Sequence, residues 1–165
     1  MTRIGLISDT HSYLDPKVCK YFKECDEIWH AGDIGNAEVT DQLETFKPLR
    51  AVYGNIDGGI LRKAFPQDLF FKCEEVPVFM THIGGYPNRY AKGIIEKLKE
   101  LKPKIFICGH SHILKVMYDK KYNLLHINPG AAGKSGFHKV KTVIRFTIDG
   151  KDIKDLEVVE LGKRV

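Results

Sequence analysis

The chain has 165 residues, of which 43% are hydrophobic and 28% are charged, as in an ordinary globular protein. This length suits one domain with a real hydrophobic core, so we expect residues 1–165 to form a single domain. The longest apolar runs are about half of a membrane span or less, which excludes a transmembrane helix, while the net charge of +5 favours anionic partners.

Strands and helices alternate through the first two thirds of the chain. A helix is predicted from Asp15-Pro16 toward Cys25, because aspartate is a good cap and proline suits the first helical position. A second helix is predicted from Asn36 to about Phe46, and a third from Asn88 to Lys102, where apolar residues recur with helical spacing. Apolar runs between these helices predict strands at 3–8, 27–31, 49–53, 68–73, 76–81 and 104–108.

The last third of the chain has a different pattern. Leu124 to Ile127 is a predicted strand that ends at Asn128-Pro129-Gly130. Two alternating runs, 142–148 and 153–161, flank Asp149-Gly150, which predicts a hairpin with a two-residue turn. Strand–helix units followed by antiparallel strands indicate a mixed α/β fold, with two stacked sheets and helices outside them.

Metal-binding side chains follow five of the apolar runs at once. In α/β proteins, residues placed directly after strands meet at one edge of the sheet. The seven donors are Asp9, His11, Asp33, Asn55, His82, His110 and His112. Each short motif alone is weak, but all of them together, in this order, predict a metal site.

The donor set suits two divalent cations. The Asp33 carboxylate has two oxygens and is the natural ligand to share between them. Two divalent cations set against two carboxylates and one hydroxide leave a single positive charge, which suits a phosphodiester anion. The mixture of imidazole and carboxylate favours transition metals over calcium. We expect manganese first, with nickel, iron, zinc or magnesium as alternatives.

In the order Asp9-x-His11, Gly32-Asp33, Gly54-Asn55, His82 and Gly109-His110-x-His112, the chain resembles the calcineurin-like metallophosphoesterase superfamily. Its short length and the Asn128-Pro129-Gly130 segment are similar to the small single-domain phosphodiesterase branch, which includes the retromer subunit with a phosphoesterase fold.

The resemblance implies a four-layer αββα sandwich, in which two mixed β-sheets are flanked by helices. It also implies how the donors divide between two metals. One metal would take Asp9, His11, Asp33 and His112, and the other would take Asp33, Asn55, His82 and His110. We assign Asp33, Asn55 and His82 to catalysis as well as to metal binding.

The chain departs from the family pattern at Ile56. Many members have Gly-Asn-His followed by an acidic residue, and that histidine protonates the leaving group. Here the segment reads Gly54-Asn55-Ile56-Asp57, and isoleucine cannot donate a proton. A general acid typically contributes about 10²–10⁴-fold, so we expect weaker catalysis that favours esters with good leaving groups.

Several other polar residues have open roles. We expect His30 to support the site rather than bind metal, and His126 to be structural. His138 could supply a proton or contact phosphate, although a solvated loop histidine is the simpler interpretation. Asp57 could accept a hydrogen bond from a ligand or from water, or cap a helix, and Arg89 could contact phosphate or merely open its helix.

The leading functional hypothesis is a metal-dependent phosphodiesterase in which metal-bound hydroxide attacks a small phosphate-ester substrate. A scaffold that keeps the fold without turnover is one alternative, and a monoesterase or nuclease is another. No dedicated nucleic-acid groove is predicted, because the basic residues are scattered. With no export signal in the sequence we expect a cytoplasmic location, and a homo-oligomer stays possible.

Overall fold

Two five-stranded sheets form the centre of the computed structural model, which describes all 165 residues. The strands are β1 Thr2–Ile7, β2 Glu27–His30, β3 Leu49–Ala51, β4 Asp68–Cys73, β5 Val76–Thr81, β6 Gly85–Tyr86, β7 Arg89–Tyr90, β8 Ile105–Ile107, β9 Lys115–Asp119, β10 Leu124–Asn128, β11 Val140–Asp149 and β12 Asp152–Lys163. The helices are α1 Lys17–Tyr21, α2 Ala37–Phe46, α3 Gly59–Ala64 and α4 Ile94–Leu101.

Each sheet combines three parallel strands with two strands that pair antiparallel with their neighbours. The first sheet has the order β12-β11-β1-β2-β3, in which β1, β2 and β3 are parallel. The second has the order β4-β5-β8-β10-β9, in which β5, β8 and β10 are parallel. The carboxyl ends of the parallel strands therefore lie together at one edge of each sheet. The small β6–β7 hairpin stands apart from both sheets.

Successive side chains along a strand point to opposite faces of its sheet, and they pack into three separate hydrophobic cores. Ile4 and Leu6 of β1 enter the core between the sheets, whereas Ile7 faces α1, α2 and α3 on the outer side. In β5, Val78 likewise enters the central core, and Phe79 packs beneath α4. Both faces of these strands are buried, which explains their continuous apolar runs. The predicted four-layer αββα sandwich is confirmed.

The predicted helix from Asn88 to Lys102 is wrong in its first turns. Helix α4 begins only at Ile94, after Gly93 in a left-handed conformation with φ of 83°. The preceding residues form the β6–β7 hairpin instead, in which Tyr86 pairs with Arg89. Pro87-Asn88 is the turn between them, and a positive φ of 73° at Asn88 suits the third position of a type II turn.

Other boundaries differ by smaller amounts. The 142–161 hairpin is confirmed, but Asp149 pairs with Asp152, so its two-residue turn is Gly150-Lys151 rather than Asp149-Gly150. Asn36 precedes α2 without a side-chain capping bond. Asp15 does accept the backbone N–H of Lys17 at 2.9 Å. Helix α3 and strand β9 were not predicted. No helix of the structure combines the length and hydrophobicity needed to cross a membrane.

A buried ion pair fixes the loop after β1 against β11. Nζ of Lys141 lies 2.6 Å from Oδ2 of Asp15, and both side chains are less than a tenth exposed. Burial raises the pKa of Asp15, but the contacts from Lys141 and the Lys17 N–H outweigh it and the net pKa is lowered. Asp15 thus stabilises the fold above its unfolded pKa of about 3.9, and this contribution is lost as the pH falls through the lower folded value.

We predict that Asp15→Asn lowers the free energy of unfolding by about 3 kcal/mol at pH 7, because it leaves the Lys141 charge buried without a counter-ion. The difference from wild type should shrink below about pH 4, because Asp15 of the unfolded chain becomes protonated there while Asp15 of the folded protein stays ionised to lower pH. Urea unfolding at pH 7 and pH 3 measures both effects. Lys154→Gln, which breaks an exposed pair with Asp149, is the control and should change stability little. An Asp15→Asn deficit that is equal at both pH values would contradict the role of this ion pair.

Candidate metal centre

The seven predicted donors meet at the edge where the parallel strands of both sheets end. Those from the first sheet follow β1, β2 and β3, and those from the second follow β5 and β8. Donor atoms of six of them form two clusters, each with all of its atoms within 4.8 Å of one another. The clusters are Asp9, His11 and His112, and Asp33, His82 and His110.

Asp33 lies between the two clusters. Its Oδ2 is 3.4 Å from Nε2 of His11 in one cluster and 3.2 Å from Nε2 of His82 in the other. Asp9 contributes Oδ1, which lies 3.2 Å from Nε2 of His112. Asn55, the remaining donor, places Oδ1 3.0 Å from Nδ1 of His110. The fold therefore brings all seven donors together and places Asp33 within reach of both clusters.

Buried donor atoms at the centre have no hydrogen-bond partner within the protein. They are Asp9 Oδ1, His11 Nε2 and His82 Nε2. Leaving a buried polar atom unpaired costs about 1–3 kcal/mol, and three of them converging on one point is a costly arrangement without a ligand. The residues therefore fit divalent cations, because imidazole nitrogens and carboxylate oxygens are common ligands of such ions.

The ring of His82 is held so that its free nitrogen points into the centre. Its Nδ1–H donates to the backbone oxygen of Ala31 at 2.7 Å, which leaves Nε2 unprotonated in the neutral form and directed at Asp33. A hydrogen bond of this kind on the far nitrogen orients metal-binding histidines.

The centre carries concentrated negative charge. Burial raises the pKa of Asp9, but the close imidazoles of His11 and His112 outweigh it, so the pKa lies well below its usual value. Burial also opposes ionisation of Asp33, and contacts with His11 and His82 again lower its pKa overall. Conversely, the carboxylates of Asp33 and Asp9 beside its ring raise the pKa of His11 to about 9. The two ionised carboxylates therefore stabilise positive charge beside them. That charge can come from protonated imidazoles or from metal cations.

The backbone at the centre is held in conformations that side chains usually avoid. Five of the donors have positive φ, and they are Asp9, His11, Asp33, His110 and His112. Such left-handed residues are uncommon outside glycine, asparagine and aspartate, and they concentrate at functional sites. Two glycines permit the close packing: a Cβ on Gly54 would lie 2.1 Å from Asp33 Oδ1, and one on Gly109 would lie 2.6 Å from Asp9 Oδ2.

Backbone N–H groups orient the two carboxylates. Oδ2 of Asp9 accepts the N–H of His110 at 3.1 Å, which joins the end of β1 to the loop after β8. Oδ1 of Asp33 accepts the N–H of Ile56 at 3.1 Å. Ile56 therefore contributes through its backbone, although its side chain offers no proton and is 46% exposed.

Asp57 ties the loop that carries Asp33 to the loop that carries Asn55. Its buried carboxylate accepts N–H groups from Ile34 at 3.1 Å, Gly35 at 2.8 Å and Gly54 at 2.7 Å. Two of these donors follow Asp33, and the third precedes Asn55. Both interpretations from sequence, a contact to ligand or water and a helix cap, missed this role.

His30 has a supporting role, as predicted. The backbone N–H of Gly32 donates to its Nδ1 at 3.1 Å, so the neutral ring carries its proton on Nε2. That nitrogen lies 3.0 Å from Oγ1 of Thr10, which in turn donates to the Ile34 oxygen at 2.8 Å. This chain of hydrogen bonds connects the two loops that follow β1 and β2.

The other open residues also have definite positions. His126 is fully buried among aromatic rings, in keeping with a structural role. His138 is not a solvated loop histidine, because its ring packs 5.2 Å from that of His112 and its Nε2–H donates to the Gly133 oxygen. Asn128 is buried and donates to the Gly109 oxygen and to Ser111 Oγ, both at 3.1 Å, so its turn supports the His110–His112 loop.

Comparison with known proteins agrees with this geometry. Residues 2–151 match the calcineurin-like phosphoesterase superfamily domain, and the chain belongs to this family. A protein named a probable metallophosphoesterase from Methanothermobacter thermautotrophicus is 29% identical over 169 residues, covering 98% of this chain and 94% of its own. The resemblance drawn from the sequence motifs is confirmed.

Solved structures share the fold at lower identity. An archaeal phosphodiesterase has a TM-score of 0.75 at 22% identity, covering 95% of this chain and 99% of its own. Vps29 of Entamoeba histolytica, solved in complex with zinc, has a TM-score of 0.74 at 17% identity, covering 97% of this chain and 99% of its own. At these identities the likeness concerns the fold.

We predict that Asp57→Ala weakens metal binding by about 10–100-fold, because it releases three N–H groups that position Asp33 and Asn55. Asp57→Asn keeps one acceptor oxygen and should weaken binding less. Calorimetric titration of metal-stripped protein with manganese measures the affinity. Asp41→Ala, which removes an exposed carboxylate from α2, is the matched control. Wild-type affinity in Asp57→Ala would show that these bonds do not position the donors.

Proposed function

We propose that this protein is a metal-dependent phosphodiesterase that hydrolyses small phosphodiesters at a dinuclear centre. The observation that carries the proposal is the position of Asp33 between two donor clusters whose buried atoms lack partners. The family membership supports phosphoesterase chemistry, and the archaeal phosphodiesterase shares the fold.

The seven donors divide into two sets. As the family resemblance implies, one metal would be held by Asp9, His11, Asp33 and His112, and the other by Asp33, Asn55, His82 and His110. Each set contains one of the two donor clusters. Bound divalent ions would polarise the phosphoryl oxygens and lower the pKa of a bound water to near neutrality. Manganese remains our first expectation, with nickel, iron, zinc or magnesium as alternatives.

The protein's own groups hold this centre rigid. Asp33 bridges the two sets, Asn55 supplies a neutral oxygen beside His110, and His82 is oriented by its bond to Ala31. Asp33, Asn55 and His82 are the residues to which we assign catalysis. Positioning of this kind matters because small displacements of reacting groups lower the rate strongly.

Because Ile56 cannot protonate the leaving group, the ease with which that group departs should determine which esters react. Its exposed aliphatic side chain follows Asn55, where many members of the family carry a proton-donating histidine. His138 is a weak substitute, because its Nε2–H is already donated to Gly133 and its pKa is lowered by burial. The leaving group must then depart with little protonation.

A non-catalytic scaffold is the second candidate, and the fold shared with Vps29 favours it. The complete donor set argues against a scaffold, because a scaffold needs neither unpaired buried donors nor a strained backbone around them. Phosphomonoesterase or nuclease activity is a further alternative. The cytoplasmic location and the homo-oligomerisation are still predictions from the sequence.

We predict that metal-stripped protein is inactive and regains turnover of bis(4-nitrophenyl) phosphate when manganese is restored. Nickel, zinc and magnesium are tested separately, and 4-nitrophenyl phosphate beside the diester measures the preference for diesters. Asp33→Ala should lose more than about 100-fold in kcat/KM, because both metal sets depend on it. The Asp41→Ala control should retain activity. Failure of every metal to restore turnover of either ester would favour the scaffold.

We predict that kcat/KM falls steeply as the pKa of the leaving alcohol rises across a series of aryl methyl phosphodiesters. The physical reason is that no side chain at position 56 can neutralise the departing oxygen. A flat dependence would show that another acid protonates it. His138→Gln would then be the variant that tests for that acid.

A further inference from the structure

Two small pockets open beside the metal centre, on either side of Ile83. One, of about 230 Å³, includes Asn55, His82 and Arg62 in its lining. The other, of about 250 Å³, includes His110, Ser111, Tyr86 and Arg89. Ile83 lines both and is 45% exposed, so it forms the ridge between them.

The size of the pockets limits what each could hold. Pockets for whole drug-sized ligands measure about 300–1,000 Å³, so each of these suits a part of a ligand. Proposed metal donors line both pockets, Asn55 and His82 in the first and His110 in the second. A phosphodiester has two organic substituents on one phosphorus, and two small pockets that diverge from the centre match that shape.

The two arginines differ in the contacts that their side chains already make within the protein. Arg62 donates from Nε to the Asp57 backbone oxygen at 2.7 Å and lies over the Tyr53 ring, with 4.7 Å between guanidinium carbon and ring centroid. Arg89 is exposed and its guanidinium has no hydrogen bond, ion pair or aromatic contact in the structure. No acidic residue lines either pocket. Arg89 is thus an exposed cation without a counter-charge, and it belongs to the lining of a pocket that contains no acidic residue.

The hairpin that carries Arg89 is fixed relative to the centre. Arg89 pairs directly with Tyr86, so the two side chains lie on the same side of the hairpin. The Tyr86 hydroxyl donates to Oγ of Ser111, the residue between His110 and His112. The Tyr90 hydroxyl donates to Oδ2 of Asp119 in β9 at 2.6 Å, which ties the second strand of the hairpin to the sheet.

Positive charge extends behind the hairpin. Nζ of Lys115 lies 5.6 Å from the centroid of the Tyr86 ring, so a second cationic side chain lies close to Tyr86. A planar guanidinium pairs bidentately with carboxylate or phosphate, which gives both affinity and direction.

From these observations we propose that the substrate is a diester with a second anionic group, and that Arg89 binds that group. The carbon chain of the substituent that carries this group occupies the pocket beside Tyr86, so that its anionic end reaches the exposed Arg89, and the other substituent occupies the pocket beside Arg62. This inference rests on the proposed phosphodiesterase function and adds its substrate class. The anionic group can be a carboxylate or a phosphate, because a guanidinium pairs with either.

The test compares three 4-nitrophenyl phosphodiesters that differ only at the end of a four-carbon second substituent. The ends are a carboxylate, a phosphate and a neutral amide. We expect wild-type kcat/KM to favour an anionic end, and Arg89→Ala to lower kcat/KM for that ester by roughly 10-fold or more, as loss of a charged hydrogen bond would. The amide ester should change less than about threefold. Arg89→Lys should retain part of the preference, and the larger response identifies the anion.

Lys92→Ala is the matched control, because it removes one exposed positive charge near the hairpin without touching the pocket. Its effect on the anionic esters should be small. Equal losses for charged and neutral esters in Arg89→Ala, or no loss for either, would overturn the proposal. So would an equal loss in Lys92→Ala, which would indicate only a general effect of net charge.

A binding measurement separates this inference from the proposed activity. The phosphate monoesters of 4-hydroxybutanoate and 4-hydroxybutanamide are titrated calorimetrically into manganese-loaded wild type and Arg89→Ala. We expect the carboxylate ligand to bind wild type more tightly and to lose that advantage in the variant, whether or not diesters are hydrolysed. Equal affinities of the two ligands for wild type would contradict the role of Arg89 even in an active enzyme.

Discussion

The burial of two ionised carboxylates side by side is the constraint on which this structure depends. Parallel pairing of β1 with β2 brings Asp9 and Asp33 to the same sheet edge, where both are almost inaccessible to water. Charges in such a position require cationic partners. Without metal, the neighbouring imidazoles can meet this need by binding protons, as the raised pKa of His11 shows. Divalent ions would replace those protons and satisfy the unpaired atoms as well.

The surrounding backbone keeps the donors in place. Bonds from the N–H groups of His110 and Ile56 fix the two carboxylates, while Asp57 and His30 connect the loops that carry them. Left-handed conformations at most of the donors store strain that only a well-determined environment can maintain. The fold thus supplies a preformed centre with two small pockets beside it.

The strand ends and their donors could be predicted from sequence, because apolar runs followed at once by Asp, Asn or His are typical of strands that carry ligands to a sheet edge. The β6–β7 hairpin could not, since strands of two residues have no periodicity and Asn88 also suits the start of a helix. Strand β9 was hidden because most of its side chains are exposed. The role of Asp57 depends on partners 22 and 23 residues away, which no local pattern reveals. The proposed role of Arg89 depends on that same hairpin, which the sequence did not reveal.

The most direct test of the shared centre is anomalous X-ray diffraction from crystals of the manganese-loaded protein. We predict two manganese peaks at the sheet edge, with the carboxylate of Asp33 bound to both. Asp9, His11 and His112 should complete one coordination sphere, and Asn55, His82 and His110 the other. A single peak, or two peaks of which only one is bound by Asp33, would contradict the dinuclear arrangement.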